Sequence, residues 1–170
     1  MSLIGKKILN LLNNPSKSKK RDVAIKNFED VQSIGILYTW SDKAKMESID
    51  EFSRSLAKEY DILCFNPLKE SVQCMHAVLN ISELSNLGKI KSIETESFLS
   101  KHFDYLFVLD FDLSEMTKHL IVNATAGYKI GCYGQEADKY FDLMISINEN
   151  AGIVNFADQM LKYVKAIRHE

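Results

Sequence analysis

A chain of 170 residues, 46% apolar and 26% charged, has the size and balance of one globular domain, which excludes intrinsic disorder and collagen-like structure. The formal charge of −2 conceals a division. Residues 1–22 carry Lys6, Lys7, Lys17, Lys19, Lys20 and Arg21 against Asp22, a net of +5, and the remaining residues carry −7. No apolar run reaches the length of about 20 residues that crosses a bilayer.

The first element is basic and amphipathic. Over residues 3–13, Ile4, Ile8, Leu11 and Leu12 fall on one face of a helix, with Lys6 and Lys7 beside them. Asn13-Asn14-Pro15 ends it, and a polar, basic connector runs to Asp22. Residues 23–170 then read as one Rossmann-like α/β domain, because short apolar runs alternate with runs of helical period. Ser33 to Tyr38 is a first strand, apolar on both faces as in a buried parallel sheet. Ser41 or Asp42 caps a helix that buries Met46, Ile49, Phe52 and Leu56. Asp61 to Phe65 is the second strand, closed by Pro67. A weaker third strand centres on Ala77-Val78-Leu79. Ser92 caps a helix to about Lys101.

Tyr105 to Leu109 is the strongest strand, five consecutive apolar or aromatic residues. Ser114 caps a helix through Ala124, and Gly127 is expected to supply a left-handed stop. Lys129 to Cys132 and Leu143 to Ile147 are the last strands. Ile153, Phe156, Met160, Val164 and Ile167 mark a final helix, with Lys165 and Arg168 at the negative end of its dipole. The expected fold is a doubly wound, mostly parallel sheet of five or six strands with helices on both faces, plus the N-terminal helix. Right-handed crossovers put any site at the carboxyl ends of the strands.

The first strand leads into Tyr38-Thr39-Trp40-Ser41-Asp42, which has no glycine and is neither a Rossmann phosphate loop nor a P-loop. Asp42 would repel an anion at this helix N-terminus, so capping is its expected role. Trp40, the single tryptophan, is expected to be partly buried against a neighbouring loop. The strongest strand leads into Asp110-Phe111-Asp112. Alternation would put both carboxylates on one side, where they could bind a cation or divide acid and base roles. Thr39, Ser41, Asp110, Asp112 and Tyr133 are therefore the candidate ligand-binding residues. Cys74 and His76 are close, but no second Cys/His pair follows at metal spacing, so no metal and no cofactor are expected. No serine sits in a nucleophile elbow. Lys118 and His119 are expected to face solvent. Cys64, Cys74 and Cys132 read as reduced core thiols of a cytoplasmic protein, which also fits an N-terminus without the apolar region of a signal peptide.

The basic arm has three readings. Ile4, Ile8 and Leu11 can pack on the protein itself or on a second copy, giving a homodimer. With Lys6 and Lys7 they can lie on an anionic membrane surface, making the protein peripheral to the inner membrane. Nucleic acid is disfavoured, because the acidic body repels phosphate and no reader motif is present.

Two resemblances follow from longer stretches. The basic amphipathic start, Ser33 to Leu37, Leu84-Ser85-Asn86-Leu87-Gly88-Lys89, Phe103 to Leu109 and Tyr140 to Ile145, in that order, resemble a family of small uncharacterised bacterial proteins, a domain of unknown function. That resemblance covers most of the chain and implies a fold without an activity. Phe103-Asp104, the strand to Leu109, Asp110 and Ile130-Gly131 are also similar to part of the N-terminal Rossmann-like domain of lipopolysaccharide heptosyltransferases. This implies a shared fold over about thirty residues, and the second domain that those transferases use for the nucleotide sugar is not expected within these 170 residues. The expectation is a non-enzymatic α/β binding or interaction module. The alternative is a small transferase-like enzyme with its site at the carboxyl ends of the strands, in which Asp110 and Asp112 would line an open cleft with Ser41.

Overall fold

The computed structural model describes residues 23–84 and 90–168. The basic arm, with Ile4, Lys6, Lys7, Ile8 and Leu11, lies outside the described residues. Six strands form one sheet: β1 (Ser33–Thr39), β2 (Glu59–Asn66), β3 (Ala77–Asn80), β4 (His102–Val108), β5 (Thr125–Cys132) and β6 (Leu143–Ile145). Their order is β3-β2-β1-β4-β5-β6, and every neighbouring pair is parallel. Four α-helices join them: α1 (Lys43–Ser55), α2 (Ile93–Ser100), α3 (Glu115–Asn123) and α4 (Gly152–Ala166).

Alternation along the strands feeds two cores. Ile34, Ile36 and Tyr38 of β1 join Tyr105 and Phe107 of β4 on one face, where Ile49 and Phe52 of α1 and Phe156, Met160 and Val164 of α4 cover them. Leu37, Leu63, Phe65, Leu106 and Val108 point the other way, beneath Phe98 of α2 and Met116, Leu120 and Ile121 of α3, and Phe103 near the start of β4 packs with them out of strict alternation. The sheet is thus apolar on both faces because helices cover both. Gly35 lets the two layers fit: a Cβ there would stand 2.7 Å from Cδ2 of Phe103.

The expected caps form. The carboxylate of Asp42 accepts from the Lys45 N–H at 2.8 Å, and the Ser92 and Ser114 hydroxyls accept from Thr95 and Thr117 at 3.3 and 3.1 Å. Each satisfies an orphan donor of the first helical turn.

One stop signal is corrected. Gly127 is not the end of α3 but the third residue of β5. The Ala124 N–H closes the last turn on the Leu120 carbonyl at 2.8 Å, with Ala124 itself extended (φ −70°, ψ 134°), and Thr125 already stands opposite His102. The glycine is there for close approach. Its carbonyl accepts from the Ala24 N–H at 3.0 Å, and a Cβ would come within 3.1 Å of the Asp104 carbonyl oxygen. β6 stops at Ile145, two residues before the expected end. Lys118 and His119 are half-buried rather than solvent-facing. Lys118 pairs with Glu115 at 2.8 Å, and burial holds the His119 imidazole below its ordinary range.

The central pair β1–β4 is fastened at its amino end by Asp104. One carboxylate oxygen takes the Lys26 ammonium at 2.5 Å, and the other accepts the N–H groups of Gln32 and Ser33 at 2.7 and 3.2 Å. Burial alone would raise this carboxyl, but those donors hold it below the usual carboxylate range.

Candidate functional site

In this strand order the chain leaves β1 toward β2 on one side, while β4 lies on the other. The crevice of a doubly wound sheet therefore opens between the carboxyl ends of β1 and β4. β1 delivers Thr39 there, and Asp42 and Lys45 follow in the cap and first turn of α1. β4 delivers Leu109 and Asp110, and Ser114 and Thr117 follow at the start of α3. Leu109 continues the pairing beyond the strand, donating its N–H to the Leu37 carbonyl at 2.9 Å.

Asp110 is the hub. Its Oδ1 accepts the Thr39 N–H at 2.9 Å and the Lys45 ammonium at 2.7 Å, and its Oδ2 accepts the Thr39 hydroxyl at 2.7 Å. Lys45 also donates to the Thr39 carbonyl at 3.1 Å and lies 5.8 Å from the centre of the Tyr38 ring. The chain of hydroxyls continues from Thr39 to Thr117 at 3.2 Å and from Thr117 to Ser114 at 2.8 Å. Asp110 and Lys45 are withdrawn from water, with side chains 4% and 17% exposed. The crevice of the switch point is thus bolted by a buried ion pair and a line of hydroxyls that ties the starts of α1 and α3 together.

Of the candidate residues, the structure joins Thr39 and Asp110 and leaves the others apart. Asp112 is exposed while Asp110 is buried. β4 ends at Val108, so strand alternation does not extend to residue 112. The Asp112 charge acts toward β5 instead: burial first, then Glu149 and Asp112, push the Cys132 thiol above its ordinary range. Tyr133 follows β5 and is 64% exposed, with its N–H on the Ile145 carbonyl at 2.9 Å. Ser41 is exposed and donates its hydroxyl to Asp42 at 2.8 Å. The Asp42 carboxyl lies below its usual range, held there by the Lys45 N–H and by Ser41. Trp40 is half-buried and packs against the first core.

Over residues 2–167, the sequence matches the family of unknown function DUF6913. The chain belongs to that family. No curated protein and no solved structure matches it. DUF6913 membership spans almost the whole chain and carries no assigned chemistry, so the chemistry must come from the residues themselves.

The sequence patterns above single out neither Lys45 nor Thr117. Lys45 has a legible signal all the same: a cation in the first turn opposes the helix dipole, and α1 has no acidic residue there. Such a local conflict marks a residue committed to a tertiary partner.

A second polar cluster of this DUF6913 chain lies under α1. Tyr38 is fully buried, and its hydroxyl stands 3.0 Å from Nδ1 of His76 and 3.3 Å from Sγ of Cys74. Burial, reinforced by the thiols of Cys74 and Cys64, drives the phenol far above its ordinary value, so it stays protonated and can donate to Nδ1. When it does so, the ring proton sits on Nε2, which faces Oδ1 of Asp50 at 3.6 Å, beyond hydrogen-bond length. Burial holds the His76 imidazole below its ordinary range, against the pull of Asp50. Among the described residues, no group of three or more His, Cys, Asp or Glu side chains is arranged to hold a metal ion. Nor is any described helix long and apolar enough to cross a membrane.

Proposed function

We propose that the chain is a non-enzymatic binding or interaction module that meets its ligand or partner at the carboxyl edge of the sheet. The observation that supports this is the closed state of Asp110. Both of its oxygens are engaged by Thr39 and Lys45, so its charge fastens the fold and is not open to a ligand. Ser41, Asp112 and Tyr133 are exposed beyond the carboxyl ends of β1, β4 and β5, polar and aromatic side chains of the kind that bind without reacting. Three free thiols, Cys64, Cys74 and Cys132, support a reducing, cytoplasmic setting.

The test is thermal stabilisation of the protein by nucleotides, sugar phosphates and inorganic phosphate, with turnover followed by NMR in the same samples. A saturable rise in melting temperature that is lost in Tyr133→Ala or Asp112→Asn, without turnover, supports a binding module. Turnover of any of these compounds that disappears in Ser41→Ala or Asp112→Asn overturns it and establishes the alternative, a small transferase-like enzyme.

The arm supports a second contact, with an anionic membrane surface. Its apolar face of Ile4, Ile8 and Leu11 beside Lys6 and Lys7 has the pattern of an interfacial helix. Deleting residues 1–21 should abolish binding to anionic vesicles. Binding that survives the deletion, or a shift from dimer to monomer without any vesicle binding, removes this reading.

A further inference from the structure

The cluster beneath α1 contains more chemistry than a structural role requires. Tyr38 and Cys64 stand directly opposite each other on the paired strands β1 and β2, so their side chains leave the same face of the sheet. The Tyr38 hydroxyl reaches Cys74 at 3.3 Å, and Cys74 packs against the same core that encloses Cys64. Cys74 is also near enough to act on Cys64, adding to the effect of burial in raising its thiol. Two of the three free thiols thus meet the same core, although they lie ten positions apart in sequence. Their exposures differ: Cys64 is fully buried, whereas Cys74 is half-buried in a segment, residues 71–74, that belongs to neither helix nor strand.

We propose that Cys64 and Cys74 form a redox-responsive dithiol that closes to a disulfide when a hydroperoxide oxidises Cys74. In the first step, the Cys74 sulfur attacks the peroxide oxygen. The O–O bond breaks, the alcohol or water leaves with the thiol proton, and Cys74 becomes a sulfenic acid. In the second step, the Cys64 sulfur attacks the Cys74 sulfur, the S–O bond breaks, and water leaves. The balance is two thiols and one hydroperoxide to one disulfide, one alcohol and one water. The protein is oxidised by two electrons and the peroxide is reduced.

The asymmetry of the pair fixes the order of these steps. Cys74 is the thiol that a small oxidant can reach, and Cys64 is sealed behind it. Burial, with the neighbouring Cys74 adding to it, pushes the Cys64 thiol up to about 12, so Cys64 needs help to lose its proton. The Tyr38 hydroxyl stands 3.3 Å from Cys74 and 3.0 Å from His76 Nδ1, on the residue opposite Cys64 in the strand register, and offers the path by which that proton reaches the imidazole. Residues 71–74 carry no strand pairing, so Cys74 can move the short distance that disulfide geometry demands.

Hydrogen peroxide is the probe, applied to the reduced full-length protein before digestion and mass spectrometry. A peptide joining Cys64 to Cys74, two hydrogen masses lighter than the separate peptides and reversed by dithiothreitol, is the expected product. Cys132, buried elsewhere in the same core, is the internal control and should stay reduced, while Met75, 58% exposed, registers oxygen addition separately. In Cys64→Ala the sulfenic acid at Cys74 should persist and be trapped by dimedone. In Cys74→Ser, Cys64 should be as inert as Cys132. The wild-type peptide map decides even if a variant fails to fold. Overoxidised Cys74 beside a reduced Cys64, or bonds only between chains, overturns the proposal. So does Cys64 reacting at an unchanged rate in Cys74→Ser.

Discussion

Asp110→Asn tests the bolt at the switch point. The substitution keeps the volume and removes the charge. The amide oxygen can still accept the Thr39 N–H, and the Thr39 hydroxyl can turn toward Thr117, 3.2 Å away. What cannot be replaced is the anion that faces the Lys45 ammonium at 2.7 Å, with the lysine only 17% exposed. A hydrogen bond to a charged group contributes about 1.5–3 kcal/mol, and stripping one partner from a buried pair costs about 3–5 kcal/mol. Lys45 keeps some contact with water, so the lower part of that span applies, about 3 kcal/mol. For a domain of this size the loss corresponds to a fall in Tm of roughly 6–12 °C. Lys45→Met strands the anion instead and should cost a similar amount. The double variant leaves no buried charge unpaired, so it should be less damaging than the two single losses together, by at least ~2 kcal/mol. Urea unfolding of the four proteins, with a constant m value, measures the cycle. If Asp110→Asn stays within about 0.5 kcal/mol of wild type, or the two losses simply add, the ion pair does not fasten the crevice, and Asp110 becomes available for chemistry.

Tyr38→Phe removes the donor to His76 Nδ1 without changing the packing of the ring, and should cost about 1–3 kcal/mol by chemical unfolding. His76 and His119 are held neutral by burial, so the unfolded chain takes up protons more readily than the folded one below the ordinary imidazole value of 6.5. Stability is therefore complete above that value and declines as pH falls below it toward the lowered folded values. His76→Gln should flatten the decline below pH ~6.5, and an unchanged slope would assign it to other groups. Gly131→Ala drives a methyl into the ring of Phe141, which is buried, and should cost about 1–3 kcal/mol by overpacking, with recovery in Gly131→Ala/Phe141→Leu.

The sheet was legible in the sequence because burial on both faces writes a continuous apolar run. Ser33 to Tyr38 and Tyr105 to Leu109 are such runs, and both are central strands. Even β3, with four residues at the edge of the sheet, was visible in Ala77-Val78-Leu79. Gly127 misled because a glycine after a helical pattern has two physical uses, a left-handed turn or a close backbone approach, and only the tertiary neighbours Ala24 and Asp104 decide between them. The opposed fates of Asp110 and Asp112 were hidden by assuming that strand geometry persists past Val108. Thr39 and Asp110 are both candidates by sequence, yet the partner that defines their role, Lys45, carries no motif. The cluster of Tyr38, Cys64, Cys74, His76 and Asp50 is assembled from three elements and a loop, and its contacts depend on strand register rather than on spacing along the chain.

The two aspartate fastenings of β1 to β4 have a kinetic consequence. Thr39 and Asp110 are 71 residues apart in sequence, and Gln32 and Asp104 are 72 apart. Every other neighbouring strand pair joins consecutive strands, so each half of the sheet can assemble from local sequence, while this seam requires closure of a long loop. Closing that loop is therefore expected to be the costly step of folding, with the bonds of Asp104 and Asp110 made only after the strands have met. Variants at Asp104 and Asp110 should chiefly accelerate unfolding and leave the refolding rate nearly untouched. In the cell, the same property makes the lifetime of the folded chain, more than its speed of formation, the quantity these two carboxylates control.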